Sequence, residues 1–171
     1  MKEVAPVFTS SASDSSDERQ GWRIRPAQAS DRAFLEVLAL RLVVGIPSWR
    51  SAEAMAATAR RWLLADLERI GSDAAVFLAE TAAGEPVGAV AVASSQHFTG
   101  SAQADIGELA VVADWEGRGV GAALLAAAEA WAREQSAPFI SLATGAANTR
   151  ALAFYARHGY QPEDVRLTKP L

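Results

Sequence analysis

Apolar and polar residues follow two different periods along this chain. In five short segments apolar residues alternate with polar ones or form brief runs rich in alanine and β-branched residues, which is typical of strands. These strands are predicted at residues 22–26, 75–80, 87–94, 104–112 and 139–142. The second and third are separated by a turn at Gly84 and should pair as an antiparallel hairpin.

Other segments have the 3.6-residue period of amphipathic helices. Helices are predicted at about residues 30–44, 51–70, 119–133 and 148–157. Ser30, Ser51 and Asn148 stand at three of the starts, where a side-chain oxygen can accept a free backbone amide. In the second helix, Met55 and Trp62 are predicted to face the core. Since helices interrupt the series of strands, the pattern predicts a mixed α/β domain.

The two ends of the chain differ in character. Residues 1–20 are rich in serine and acidic residues and lack apolar periodicity, so we expect a flexible arm. A single domain is expected over residues 21–171, closed by a pair of strands around residues 165–167.

Composition removes several classes of function. The 171 residues are 50% hydrophobic and carry a net charge of −4, with no basic stripe of the kind that binds nucleic acid. The chain has no cysteine, which excludes disulfides, thiolate metal sites and a cysteine nucleophile, and its two histidines are too few for a three-histidine zinc site. No apolar run is long enough to cross a bilayer. We therefore expect a cytoplasmic protein without a metal, a membrane or a nucleic-acid partner.

The most informative segment is a glycine-rich turn between the fourth strand and the third helix. Gly117, Gly119 and Gly121 fall where that helix begins. A helix N-terminus presents unpaired amides and a partial positive charge, and glycines let an anion approach the backbone closely. Arg118 adds a cation beside them. The turn is thus a candidate phosphate site.

Four interpretations of these glycines compete. A P-loop requires a lysine after the last glycine, but the only lysines are Lys2 and Lys169. A dinucleotide fingerprint requires an acidic residue about 20 positions later, and none occurs between Glu134 and Glu163. A coenzyme A diphosphate site needs only one strand-turn-helix unit. The glycines alone are equally consistent with a helix start that serves close packing.

Several motifs in order resemble the GCN5-related N-acetyltransferase (GNAT) superfamily. They are Leu109-Ala-Val111, Glu116-Gly-Arg-Gly-Val-Gly121, Asn148-Thr-Arg-Ala-Leu-Ala-Phe-Tyr155 and Gly159-Tyr160. The resemblance implies a mostly antiparallel mixed sheet, flanked by about four helices, in which two parallel strands splay apart to admit acetyl-CoA. The coenzyme-binding residues it implies are Leu109, Ala110, Val111, Gly117, Arg118, Gly119, Val120, Gly121, Ala122 and Asn148.

The resemblance also implies an activity, an acetyl-CoA-dependent N-acetyltransferase acting by direct transfer in a ternary complex. Tyr155 would be the general acid, and Asp105, Glu108 or a water molecule would be the base. The acceptor would be a primary amine on a small molecule or peptide, and a homodimer is possible. The alternatives are a non-catalytic acyl-CoA sensor on the same fold and a domain that only binds partners.

Glu116 departs from the resemblance, because relatives usually carry Gln or Arg at this position. A carboxylate beside a diphosphate should repel it unless the side chain turns to solvent or pairs with Arg118. On sequence alone, Glu116→Gln is expected to leave acetyl-CoA binding unchanged or tighter.

Overall fold

The structure, a computed structural model, describes residues 21–169. This part of the chain contains five strands: β1 (Trp22–Pro26), β2 (Ala74–Thr81), β3 (Pro86–Gln96), β4 (Ala102–Val111) and β5 (Ile140–Leu142). Four α-helices accompany them: α1 (Arg32–Leu38), α2 (Ala52–Glu68), α3 (Val120–Glu134) and α4 (Thr149–Arg157). Short 3-10 helices occupy Ala29–Asp31, Ala39–Val43 and Ala113–Trp115. The predicted mixed α/β architecture is confirmed.

The strands form one sheet in the order β1-β2-β3-β4-β5. The first three pairings are antiparallel, and β4 pairs with β5 in parallel, as the resemblance implied. Two hydrophobic clusters cover the two faces of the sheet. One is built around α3 with Leu124 and Leu125, and the other around α1 and α2 with Leu35 and Leu63.

A bulge and a short pairing shape the middle of β4. The register with β3 shifts so that Gly107 has no partner between Ile106 and Glu108 in the described structure. On the opposite edge, β5 pairs only with residues 104–106. Residues 107–111 therefore leave one backbone edge without a strand partner within residues 21–169. The glycine turn follows this edge along the chain, after the short 3-10 helix Ala113–Trp115.

Two predictions about the helices need correction. The first helix does not run unbroken to residue 44: a 3-10 turn that contains Ser30 precedes α1, and a second 3-10 helix follows it. The predicted cap at Ser30 does not form, and the Asp31 carboxylate instead accepts the Gln28 amide at 2.7 Å in a capping box. In α2, Met55 and Trp62 are exposed, because the face that meets the sheet is the one carrying Leu63 and Leu64. The caps at Ser51 and Asn148 are confirmed, each accepting an amide at 3.1 Å.

The end of the chain also differs from its prediction. Residues 161–169 form no strand, and Val165 and Leu167 are exposed. These two apolar residues stand among charged ones and follow Pro162, so they offer little apolar area to bury against the sheet. The strand predicted at residues 139–142 forms as the half-buried β5. The predicted arm at residues 1–20 lies outside the described residues. No helix within the described range is long and apolar enough to cross a membrane.

Candidate active site

The glycine turn has the backbone of an anion cradle. Gly117 and Gly119 have φ angles of 75° and 84°, in the left-handed region that glycine adopts without strain. Gly119 is the residue that precedes α3, so the first amides of that helix follow it at once. A Cβ added at Gly117 would meet nothing within 4 Å, and one at Gly119 would meet only Trp22 at 3.9 Å. The space in front of the turn is thus open.

Glu116 is held by two arginines from other elements. Arg41 Nη2, in the 3-10 helix Ala39–Val43, lies 2.6 Å from Glu116 Oε1, and Arg150 Nη1, in the first turn of α4, bonds Glu116 Oε2. Burial alone would raise the pKa of Glu116, but the hydrogen bonds from Arg150 and Arg41 hold it below the usual value. The carboxylate thus pairs with Arg41 and Arg150 rather than with Arg118, the partner that the sequence suggested as one way to relieve repulsion.

Arg118 and Asn148 lie beside the turn with other partners. The Arg118 guanidinium carbon is 4.9 Å from the centre of the Trp115 ring, a cation–π contact. The Asn148 side-chain oxygen caps α4 by accepting the Ala151 amide. Phe154, on the same helix, would contact a Cβ at Gly121 at 3.7 Å. Helix α4 therefore packs against the start of α3.

A glycine pair brings the segment after α1 against the loop that follows β5. A Cβ at Gly145 would lie 2.4 Å from the carbonyl oxygen of Gly45, and a Cβ at Gly45 would lie 2.6 Å from the Asn148 Cβ. Only glycine permits this approach. The segment that carries Arg41 therefore meets the loop after β5 at Gly45 and the start of the glycine turn at Glu116.

Alanine at Gly145 should release this segment, because its methyl group cannot fit beside the Gly45 carbonyl. We expect Gly145→Ala to speed tryptic cleavage after Arg50 and to lower the free energy of unfolding by about 1–3 kcal/mol. The control is Gly71→Ala, where the added methyl meets open space and the cost is only that of a positive φ. Equal cleavage rates for the two variants would contradict the expectation.

Of the two predicted bases, Asp105 is already engaged. Its Oδ1 accepts the Ser141 hydroxyl across the β4–β5 pairing and the Gln103 amide at 2.9 Å. Both bonds go to one oxygen of the Asp105 carboxylate, at the end of β4 that pairs with β5, so they hold this side chain against the neighbouring strand.

Glu108 has the opposite environment. It is only 5% exposed, and its Oε2 has no hydrogen-bond partner among the described residues. Burial, and secondarily the nearby Asp66 carboxylate, raise the pKa of Glu108 to about 8. Burial likewise raises the pKa of Asp66, which pairs with Arg69 at 3.1 Å. A carboxyl group poised near neutral pH is suited to proton transfer.

Tyr155 lies partly buried among aromatic side chains. Its ring centre is 5.1 Å from that of Phe154 and 5.6 Å from that of Tyr160. Burial raises the pKa of Tyr155 above its ordinary value, so the hydroxyl stays protonated at neutral pH. This is the state that a proton donor requires.

The sequence analysis did not identify Arg41, Arg150 and Asp66 as residues of the candidate site. Arg150 had a usable signal, because a cation in the first turn of a helix opposes the helix dipole and needs an anionic partner. Arg41 is 75 residues from Glu116 and has no local signal. Within residues 21–169, no three His, Cys, Asp or Glu side chains converge as a metal site would require.

Several known proteins have a fold similar to that of this chain. A GCN5-related N-acetyltransferase from Ralstonia eutropha JMP134 shares 24% identity at a TM-score of 0.69, over 88% of this chain and 99% of that one. The structure of AAC(6')-Iy in complex with the bisubstrate analogue CoA-S-monomethyl-acetylneamine shares 19% identity at a TM-score of 0.66, over 88% and 98%. Glucosamine-6-phosphate N-acetyltransferase from Arabidopsis thaliana shares 17% identity at 0.62, over 87% and 97%. These likenesses show the fold.

The sequence itself identifies the family. No curated protein matches the chain significantly. The profile of the acetyltransferase (GNAT) family, however, matches residues 46–160, which include the unpaired edge of β4, the glycine turn and α4. The chain therefore belongs to the acetyltransferase (GNAT) family.

Proposed function

We propose that this protein is an acetyl-CoA-dependent N-acetyltransferase that transfers acetyl directly to a primary amine on a small molecule or peptide while both substrates are bound. The observation that carries the proposal is the open edge of β4 at residues 107–111, followed after one short 3-10 helix by the glycine turn at the start of α3. One extended ligand with a diphosphate could occupy both. Acetyl-CoA has this form, and it supplies an activated acetyl thioester.

The residues present fit that ligand. The backbone of Leu109, Ala110 and Val111 would bind the pantetheine arm as an added strand binds a sheet edge. The turn from Gly117 to Ala122 would bind the diphosphate with backbone amides, and the space beside Gly117 is open. Arg118 and Asn148 would lie at its sides.

The acceptor amine must lose a proton, and Glu108 is the group we assign to this step. A lysine-like amine with a pKa near 10.4 costs about 4.6 kcal/mol to deprotonate at pH 7. Glu108 Oε2 has no hydrogen-bond partner within residues 21–169 and the pKa of Glu108 is about 8, whereas Asp105 is bonded to Ser141. Asp66 would add negative charge that attracts the ammonium form of the acceptor. We therefore favour Glu108 over Asp105 as the base.

Tyr155 is the group proposed to protonate the departing thiolate. Because a thiol with a pKa near 8.5 is already a fair leaving group, this help should be modest. Tyr155→Phe is expected to lower kcat by about ten- to a hundredfold. The matched control is Tyr160→Phe, which removes the only other tyrosine hydroxyl and should leave kcat unchanged. An unchanged kcat in Tyr155→Phe would remove Tyr155 from the mechanism.

The function is tested by incubating the protein with acetyl-CoA and a panel of amines while released thiol is measured. Turnover with at least one amine, together with a rise in Tm on adding acetyl-CoA, is the expected result. A raised Tm without turnover on any amine would favour the acyl-CoA sensor. An unchanged Tm would favour a domain that only binds partners. The homodimer and the cytoplasmic location predicted from the sequence stay predictions.

A further inference from the structure

Three charged side chains from separate elements meet at the start of the glycine turn. We call Arg41, Glu116 and Arg150 the Arg-Glu-Arg cluster. One nitrogen of each guanidinium donates a hydrogen bond to the Glu116 carboxylate, and the two arginines bond different oxygens. Since a guanidinium has five N–H donors, most of the donors on each arginine stay available. The cluster carries a formal charge of +1 immediately before an anion cradle.

Fold stability alone does not account for this cluster. The Glu116 side chain is 27% exposed and that of Arg150 is 72% exposed, and exposed ion pairs contribute only about 0–1 kcal/mol. Arg150 also stands in the first turn of α4, where the helix dipole disfavours a cation. Glu116 overcomes this and keeps the guanidinium at the turn. The net positive charge of the cluster becomes favourable when an anion binds beside it.

We propose that Glu116 is a positioning residue that holds Arg41 and Arg150 toward the phosphoryl groups of the coenzyme. The inference rests on the proposed function and concerns the same coenzyme site. A carboxylate that should repel a phosphate thereby favours its binding, because it recruits two cations from distant parts of the chain. The arginines, not Glu116, contact the phosphoryl oxygens.

This proposal and simple repulsion predict opposite effects of Glu116→Gln on the affinity for acetyl-CoA. Glu116→Gln removes a negative charge, so repulsion alone predicts tighter binding of acetyl-CoA. If Glu116 positions the arginines, the same variant should weaken binding by about three- to tenfold, because charged hydrogen bonds to phosphate are lost. In the Arg41→Ala/Arg150→Ala double variant, no arginine remains for Glu116 to position. Adding Glu116→Gln to it should therefore leave acetyl-CoA binding unchanged or tighten it.

The test measures Kd by titration calorimetry for acetyl-CoA and for acetyl-pantetheine, which lacks phosphoryl groups. Arg150→Ala should weaken acetyl-CoA binding about tenfold and leave acetyl-pantetheine binding unchanged. Arg157→Ala, an exposed arginine at the far end of the same helix, is the matched control and should change neither Kd. A steeper salt dependence for the wild type than for the double arginine variant is also expected.

The outcomes separate this inference from the proposed function. Equal or tighter acetyl-CoA binding by Glu116→Gln in the otherwise wild-type protein would overturn the inference and leave the proposed function standing. A parallel loss of acetyl-pantetheine affinity and of Tm in Glu116→Gln would also overturn it, since the role would then be structural. Failure of the wild type to bind acetyl-CoA would overturn both.

Discussion

The Glu108→Gln variant is expected to turn over about 100- to 1,000-fold more slowly than the wild type, within the range lost when a general base is removed. Gln has nearly the same size as Glu and can occupy the same buried site, but it cannot accept a proton at neutral pH. Steady-state kcat and kcat/KM with an amine that the wild type acetylates provide the measurement.

The pH dependence of the same variant identifies the group. Glu108 acts as a base only when it is ionised, and its pKa is about 8, so its contribution to kcat/KM should rise with pH up to about that value. The acceptor amine gives a second rising limb at higher pH. In Glu108→Gln only the limb of the amine should remain.

Stability should change in the direction opposite to activity. The pKa of Glu108 is raised from 4.5 to about 8 by burial, so between these values the folded state binds more protons than the unfolded state. The contribution of Glu108 to the free energy of unfolding therefore falls as pH rises from 4.5 to 8. Glu108→Gln removes this decline and should be more stable than the wild type at pH 8, as urea unfolding would show.

Asp105→Asn is the control, because Asp105 is the other carboxylate on β4 that the sequence analysis proposed as the base. Asp105 is bonded to Ser141 and Gln103, so we expect less than about a tenfold loss of turnover. A larger loss in Asp105→Asn than in Glu108→Gln would reverse the assignment of the base.

The second large effect is expected at Gly119, whose φ of 84° sets the direction in which α3 begins. In Gly119→Ala the backbone must be strained or rotate, at a cost of about 1–2 kcal/mol. Because the amides of Val120, Gly121 and Ala122 follow directly, we expect acetyl-CoA affinity to fall by more than about tenfold. Titration calorimetry and urea unfolding measure the two effects.

Gly84→Ala is the matched control for this change. Gly84 has a φ of 82° in the β2–β3 turn, and an added Cβ there meets nothing within 4 Å. It should lose a similar free energy of unfolding and keep its full affinity for acetyl-CoA. If both variants bind acetyl-CoA as the wild type does, the amides of the turn are not the diphosphate site.

The sequence was sufficient where the determinants of structure are local. Strand β1 was predicted to the residue, and the caps at Ser51 and Asn148 were recognised because a capping oxygen acts within three residues. The glycine turn was also recognised, because its glycines and the start of the helix are adjacent in the sequence. The first helix was less regular than its apolar period suggested, since 3-10 turns at both ends interrupt it.

The parts that could not be predicted depend on distant contacts. The difference between Asp105 and Glu108 depends on Ser141, on a neighbouring strand, and on the burial of Glu108 near Asp66 of α2. The partners of Glu116 come from positions 41 and 150, which nothing in the local sequence connects to it. Alternation at Val165 and Leu167 suggested a strand that the fold does not form.

The central claim is that one extended coenzyme lies along the open edge of β4 with its diphosphate at the start of α3. The most direct measurement is a crystal structure of the protein with acetyl-CoA. We predict diphosphate oxygens within hydrogen-bonding distance of backbone amides in the turn from Gly117 to Ala122, and the thioester beside residues 107–111 of β4. A coenzyme bound elsewhere, or a second strand paired along that edge of β4 in its place, would contradict the account.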